Sequence, residues 1–139
     1  HPDNLFVAQF IGSPSMNVVE GAVRRADASA YVEAEGGVHW PLVSSAGSDG
    51  QAVVYGIRPE HLSAVDPAAS GAVAATITVV EPTGAETELL VQAGNASIVL
   101  VTHGRTSVRP GDRIGLAVDP AMVHVFDRAS GQRLTRASH

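Results

Sequence analysis

Ala72-Val73-Ala74-Ala75-Thr76-Ile77-Thr78-Val79-Val80-Glu81 decides the fold class. Valine, isoleucine and threonine crowd it. Side chains branched at Cβ are stiff at χ1 and pack well on a pleated surface, so 72–81 reads as a strand. Downstream, Leu89-Leu90-Val91 and Ile98-Val99-Leu100-Val101 flank Gly94-Asn95, a two-residue hairpin signal that joins strands over 86–93 and 97–102. Arg109-Pro110-Gly111-Asp112 reads as a turn, because proline presets one dihedral and glycine supplies a positive one. Strands over 113–118 and 123–126 follow it. Upstream, the same reading gives strands over 16–19, 21–28, 31–35, 38–43 and 51–58. The stretches 44–50 and 62–71, rich in small and polar residues, read as loops. Many short strands with regular turns predict an all-β barrel or sandwich. One helix is expected, over 3–12, with Asp3 at its cap, Leu5, Phe6, Phe10 and Ile11 on one side, and Gly12-Ser13-Pro14 as its stop.

Composition narrows the function. The chain has 139 residues, 45% of them hydrophobic and 17% charged, enough to bury a core in one domain or two very small ones. Only six residues are aromatic, so that core must be built from Val, Ile, Leu and Ala. The absence of cysteine removes disulfides, thiolate catalysis and thiolate metal sites. All nine basic residues are arginine. Without lysine there is neither a phosphate-binding Gly-x-x-x-x-Gly-Lys loop nor a Schiff-base amine. A formal net charge of −5 with no basic stripe argues against nucleic acid. No apolar run is long enough to span a membrane, and no signal peptide is visible.

The remaining constellations each carry two readings. Gly56-Ile57-Arg58-Pro59-Glu60-His61 must end a strand, since Pro59 cannot donate to a ladder. It is either a structural corner or an interface from which Arg58, Glu60 and His61 reach out together. Gly12-Ser13-Pro14-Ser15-Met16-Asn17 is a helix stop and strand start, where Ser13 and Asn17 can satisfy freed backbone groups. His39, His61, His103 and His124 lack metal-ligand spacing, so no metal is expected. Glu81, Glu86 and Glu88 flank Pro82-Thr83-Gly84-Ala85, a polar turn rather than a glycosidase pair, which would need a sugar-sized aromatic cleft. No Gly-x-Ser-x-Gly elbow surrounds a serine, and Asn95-Ala96-Ser97 reads as a turn rather than a glycosylation site.

Four of these stretches, in order, resemble the regulatory half of the ATPase subunits of ABC importers for sugars and glycerol-3-phosphate, the maltose-type family. They are Phe10-Ile11-Gly12-Ser13-Pro14-Ser15-Met16-Asn17, Gly56–His61, Val80-Glu81-Pro82-Thr83-Gly84-Ala85-Glu86-Thr87, and Arg109–Asp112 with His124-Val125-Phe126-Asp127. The resemblance implies OB-fold-like β-barrels, of the type also found in molybdate-binding modules, preceded by a short N-terminal helix. It implies that 1–15 is a linker helix from a nucleotide-binding domain cut away at His1-Pro2. Residues 16–139 would then be the regulatory domain, either single or as two intertwined subdomains, 16–70 and 71–139. ATP and Mg would belong to the full-length subunit, and no cofactor to this chain. The implied partners are a second copy of the chain, transmembrane permease subunits and a regulator protein. The implied location is the inner face of the cell membrane. Met16, Asn17, Arg58, Glu60, His61, Glu86 and Thr87 are the candidate interface residues. The competing readings are a free-standing oxyanion-binding barrel using backbone N–H groups near 82–87, an oligonucleotide-binding barrel, and a hydrolase.

Overall fold

The computed structural model describes residues 16–26, 29–43, 46–104 and 106–134. The helix expected over 3–12 lies outside them. Among the described residues ten strands form: β1 Asn17–Ala26, β2 Ser29–Ala34, β3 Val38–Pro41, β4 Ala52–Ile57, β5 Leu62–Val65, β6 Val73–Pro82, β7 Glu86–Ala93, β8 Ala96–His103, β9 Arg113–Val118 and β10 His124–Asp127. They make two five-stranded sheets, ordered β10-β4-β1-β2-β3 and β5-β9-β6-β7-β8. The all-β expectation holds. Among the described residues no helix is long and apolar enough to cross a membrane.

Alternation explains which way the strands face. In β7, Thr87, Leu89, Val91 and Ala93 are buried while the residues between them are more exposed, the period of two that puts one sheet face on a core. β4 is instead buried from Val53 to Ile57, as befits a strand covered on both faces. Both sheets contribute to a single cluster that includes Trp40, Tyr55, Ile77, Leu89, Leu100 and Leu116. The Trp40 and Tyr55 rings lie 5.7 Å apart, and the Tyr55 hydroxyl donates to the Pro41 carbonyl at 2.6 Å. Burial pushes the ionisation of that hydroxyl far up, so it stays a donor. The second sheet curls until its edge strands, β5 and β8, approach each other. Gly94-Asn95 makes the expected two-residue turn, with Ala93 opposite Ala96 and Gly94 at φ 59°.

Two strand expectations are corrected. The strands expected over 16–19 and 21–28 are one strand, β1, from Asn17 to Ala26, with 27 and 28 outside the described residues. Gly21 is not a break: a Cβ there would stand 2.5 Å from the Glu33 carbonyl, so its glycine permits close approach of β2. The stretch 62–71 is not all loop, because β5 occupies its first four residues. A four-residue edge strand with only Leu62 buried leaves almost no pattern to read. The sheets also exchange strands: β5 joins the second sheet, and β10 returns to the first.

Candidate functional site

The Arg58–His61 corner is a joint between the sheets. β4 ends at Ile57, Pro59–His61 form a single 3-10 turn with the proline at its start, and β5 begins at Leu62. Proline suits that position because its fixed φ matches the turn and its missing N–H would have no partner there. The His61 N–H donates to the Arg58 carbonyl at 3.0 Å, and the Leu62 N–H to the Pro59 carbonyl.

A second joint answers the first. β9 ends at Val118, Pro120–Met122 form another 3-10 turn opened by proline, and β10 begins at His124. Here the Asp119 side chain caps the turn, accepting from the Ala121 N–H at 3.0 Å. The two joints lie side by side. Gly56 is opposite His124 in the first sheet, and Leu62 is opposite Val118 in the second. Leu62 is six residues after Gly56 and Val118 is six before His124, so one antiparallel register continues through both turns. A two-stranded ribbon, kinked on both strands at the same place, carries the chain from one sheet to the other and back.

Positive groups collect at this ribbon. The pKa of His124 lies below the ordinary histidine value, chiefly because it is half-buried, and then because Arg133, Arg58 and His61 repel its proton. Arg58 and His61 are half-buried and Glu60 is exposed. The buried Nδ1 of His61 has no hydrogen-bond partner among the described residues. The sequence reading singled out Arg58, Glu60 and His61 but missed the second turn. Its signal was present: Asp119-Pro120 repeats the Arg58-Pro59 pattern of a proline opening a turn straight after a strand.

Met16 and Asn17 come to the same end of the first sheet, Asn17 opposite Ile57. Asn17 is buried. Its side-chain N–H donates to the Val99 carbonyl at 2.7 Å, and its Oδ1 accepts from the Val99 N–H at 2.8 Å. One amide thus copies a strand's two backbone groups and ties β1 to β8 across the sheets. Met16 packs with Val18 and Phe126 in a small separate cluster. Glu86 and Thr87 lie elsewhere, where the β6–β7 hairpin meets the end of β8. Glu86 faces His103 at 3.1 Å across largely exposed side chains. Thr87 is buried and its carbonyl accepts from the Thr102 hydroxyl at 3.3 Å. Among the described residues no group of three or more His, Cys, Asp or Glu could hold a metal ion.

This geometry has known counterparts. The TOBE domain family matches residues 55–126. The chain belongs to the TOBE domain family. The MalK OB fold domain matches residues 12–62, so the two matches overlap on the first joint. The TOBE chain is 40% identical over 134 residues to an uncharacterised ABC transporter ATP-binding protein of Sinorhizobium fredii, covering 96% of this chain and 35% of that protein. It is 36% identical over 135 residues to the sn-glycerol-3-phosphate import ATP-binding protein of Paracoccus denitrificans, with 96% and 36% coverage. It is 34% identical over 130 residues to the alpha-glucoside transport ATP-binding protein of Rhizobium meliloti, with 91% and 36% coverage. The chain therefore spans about a third of the length of these relatives. Among solved structures, the cytoplasmic molybdate-binding protein ModG, crystallised with molybdate bound, superposes with a TM-score of 0.66 at 15% identity. The match covers 82% of this chain and 97% of that one. At that identity the likeness establishes the OB-type fold alone.

Proposed function

We propose that this TOBE chain is the regulatory and dimerisation domain of the ATP-hydrolysing subunit of an ABC importer for sugars or glycerol-3-phosphate-type solutes. Read this way, the chain does not hydrolyse ATP. It pairs with a second copy of itself, answers to a regulator protein, and lies at the inner face of the membrane through an ATPase domain bound to permease subunits. The observation that carries the reading is the run of two overlapping domain matches over residues 12–126, together with importer relatives aligned over about a third of their length. The chemistry is consistent with it, since the sequence has no lysine for a phosphate loop. Met16, Asn17, Arg58, Glu60, His61, Glu86 and Thr87 are the residues through which control would pass. The double joint is the natural relay, because any change in the angle between the sheets must bend both turns together.

Two measurements test this. The native polypeptide should be about three times as long as this chain, as the one-third coverage implies, and should carry a phosphate-loop domain. Calorimetric titration of the isolated chain with Mg-ATP should show no binding at micromolar concentration. Tight binding with phosphate release, or a native polypeptide without a phosphate loop, would overturn the reading.

A further inference from the structure

We propose that the open edge of β1 at Val18–Glu20 is a docking groove for an extended peptide segment of a partner protein, one that carries a basic side chain. β4 pairs with β1 from Asn17 to Ala22, but β2 pairs with it only from Gly21 to Ala26. Among the described residues, 18–20 therefore have a neighbouring strand on one side alone. The Val23 N–H donates to the Gln51 carbonyl at 2.9 Å, and the Gly50 N–H to the Val23 carbonyl at 2.7 Å. Odd-numbered residues of β1 thus bond toward β4, and even-numbered ones aim their N–H and C=O the other way. At Ala22, Arg24 and Ala26 strand β2 meets those groups. At Val18 it does not, because the chain turns away after Ala34, where the Gly37 N–H closes onto the Ala34 carbonyl at 3.1 Å.

The vacated side is a cavity of about 390 Å³. Val54, Ala34, Ala93 and Ala96 give it small apolar walls, and Glu20 and Glu35 stand on it. Unpaired strand groups beside shallow apolar walls are what an added strand uses: main-chain hydrogen bonds for affinity and alternate side-chain pockets for specificity. The carboxylates choose the guest. Glu35 has no ion pair among the described residues. Glu20 meets Arg128 at 3.2 Å, both side chains more than half exposed, a pair that water screens heavily. A guest arginine or lysine complements them. A second copy of the same edge would oppose glutamates with glutamates, which disfavours pairing. The groove belongs to this chain whether or not the importer reading holds.

The test uses the chain and a capped pentapeptide, Val-Arg-Val-Arg-Val, followed by amide hydrogen exchange. Binding should slow exchange at the Val18 N–H by about tenfold or more, as a new hydrogen bond requires. Methylating the peptide nitrogens along one edge should weaken binding by roughly tenfold or more, whereas glutamates in place of its arginines should abolish it. The surface change Glu35→Arg should reduce binding and leave the thermal midpoint unchanged. Four outcomes would each overturn the proposal: no binding at millimolar peptide; binding that leaves Val18 untouched; Val18 protection already complete in the free, dilute chain; or protection that rises with protein concentration, which would make a second copy the occupant.

Discussion

Asn17 depends on a distant partner, since its amide holds the backbone of Val99, 82 positions away. Asn17→Ala leaves that N–H and carbonyl without partners at a partly buried site, which should cost about 1–3 kcal/mol. Calorimetry should show the unfolding midpoint of the chain fall by roughly 4–10 °C. Asn17→Asp keeps the acceptor but turns a carboxylate oxygen toward the Val99 carbonyl at a buried site, and should cost at least as much as alanine at neutral pH. An unchanged midpoint in the alanine variant would mean the clamp contributes nothing. His124 makes a pH prediction. Its folded pKa is depressed, mainly by burial and then by Arg133, Arg58 and His61, so the unfolded chain binds its proton more readily. Stability is then fully present above the unfolded value, about 6.5, and is lost as pH falls through it toward the folded value. Denaturant midpoints should drop over that range, and His124→Asn should flatten the drop. At this scale the sequence was only half legible. It marked Asn17, Arg58 and His61 as polar groups at strand borders, but a hydrogen bond across 82 residues has no local pattern, and the charge around His124 comes from two separate segments, the Arg58–His61 corner and Arg133.

At the scale of elements, periodicity and turn chemistry were enough wherever a strand buries alternate residues. β6, β7 and β8 and their Gly94 turn lie close to where the β-branched run and the hairpin signal put them. Signals failed where one residue type has two uses. Gly21 opens the second of two expected strands yet lies inside β1 as a close contact, and β5 is too short and exposed to have a period. Gly115 shows the same second use. It sits in β9 between β5 and β6, opposite Val65 and Ala74, and a Cβ there would meet the Asp66 carbonyl at 2.8 Å and the Ala72 Cβ at 2.9 Å. Gly115→Val should therefore overpack the barrel and destabilise it by about 1–3 kcal/mol in chemical denaturation. A neutral outcome would show that the Asp66–Ala72 loop yields freely. The two proline-opened turns matter for a different reason. Because they share one register, a substitution at either joint changes the same bend between sheets.

At the scale of the whole molecule, the sequence motifs were sufficient for the family, because four of them lie in order along the chain. They did not reveal that the two sheets exchange strands, which only the pairing shows. If the chain is a dimerising domain, sedimentation should show a concentration-dependent dimer, with one patch used twice about a two-fold axis; a strict monomer at millimolar concentration would count against that role. The central claim is that this chain controls a reaction carried out elsewhere in a longer subunit. Solute uptake by the intact importer, measured with Arg58→Ala or Glu60→Ala in the full-length subunit alongside ATP affinity and protein abundance, tests it most directly. A controlling domain should give altered control of uptake at normal abundance with ATP affinity unchanged. Uptake that falls only in step with abundance, in variants that also unfold early, would reduce the joint to a structural corner and contradict the claim.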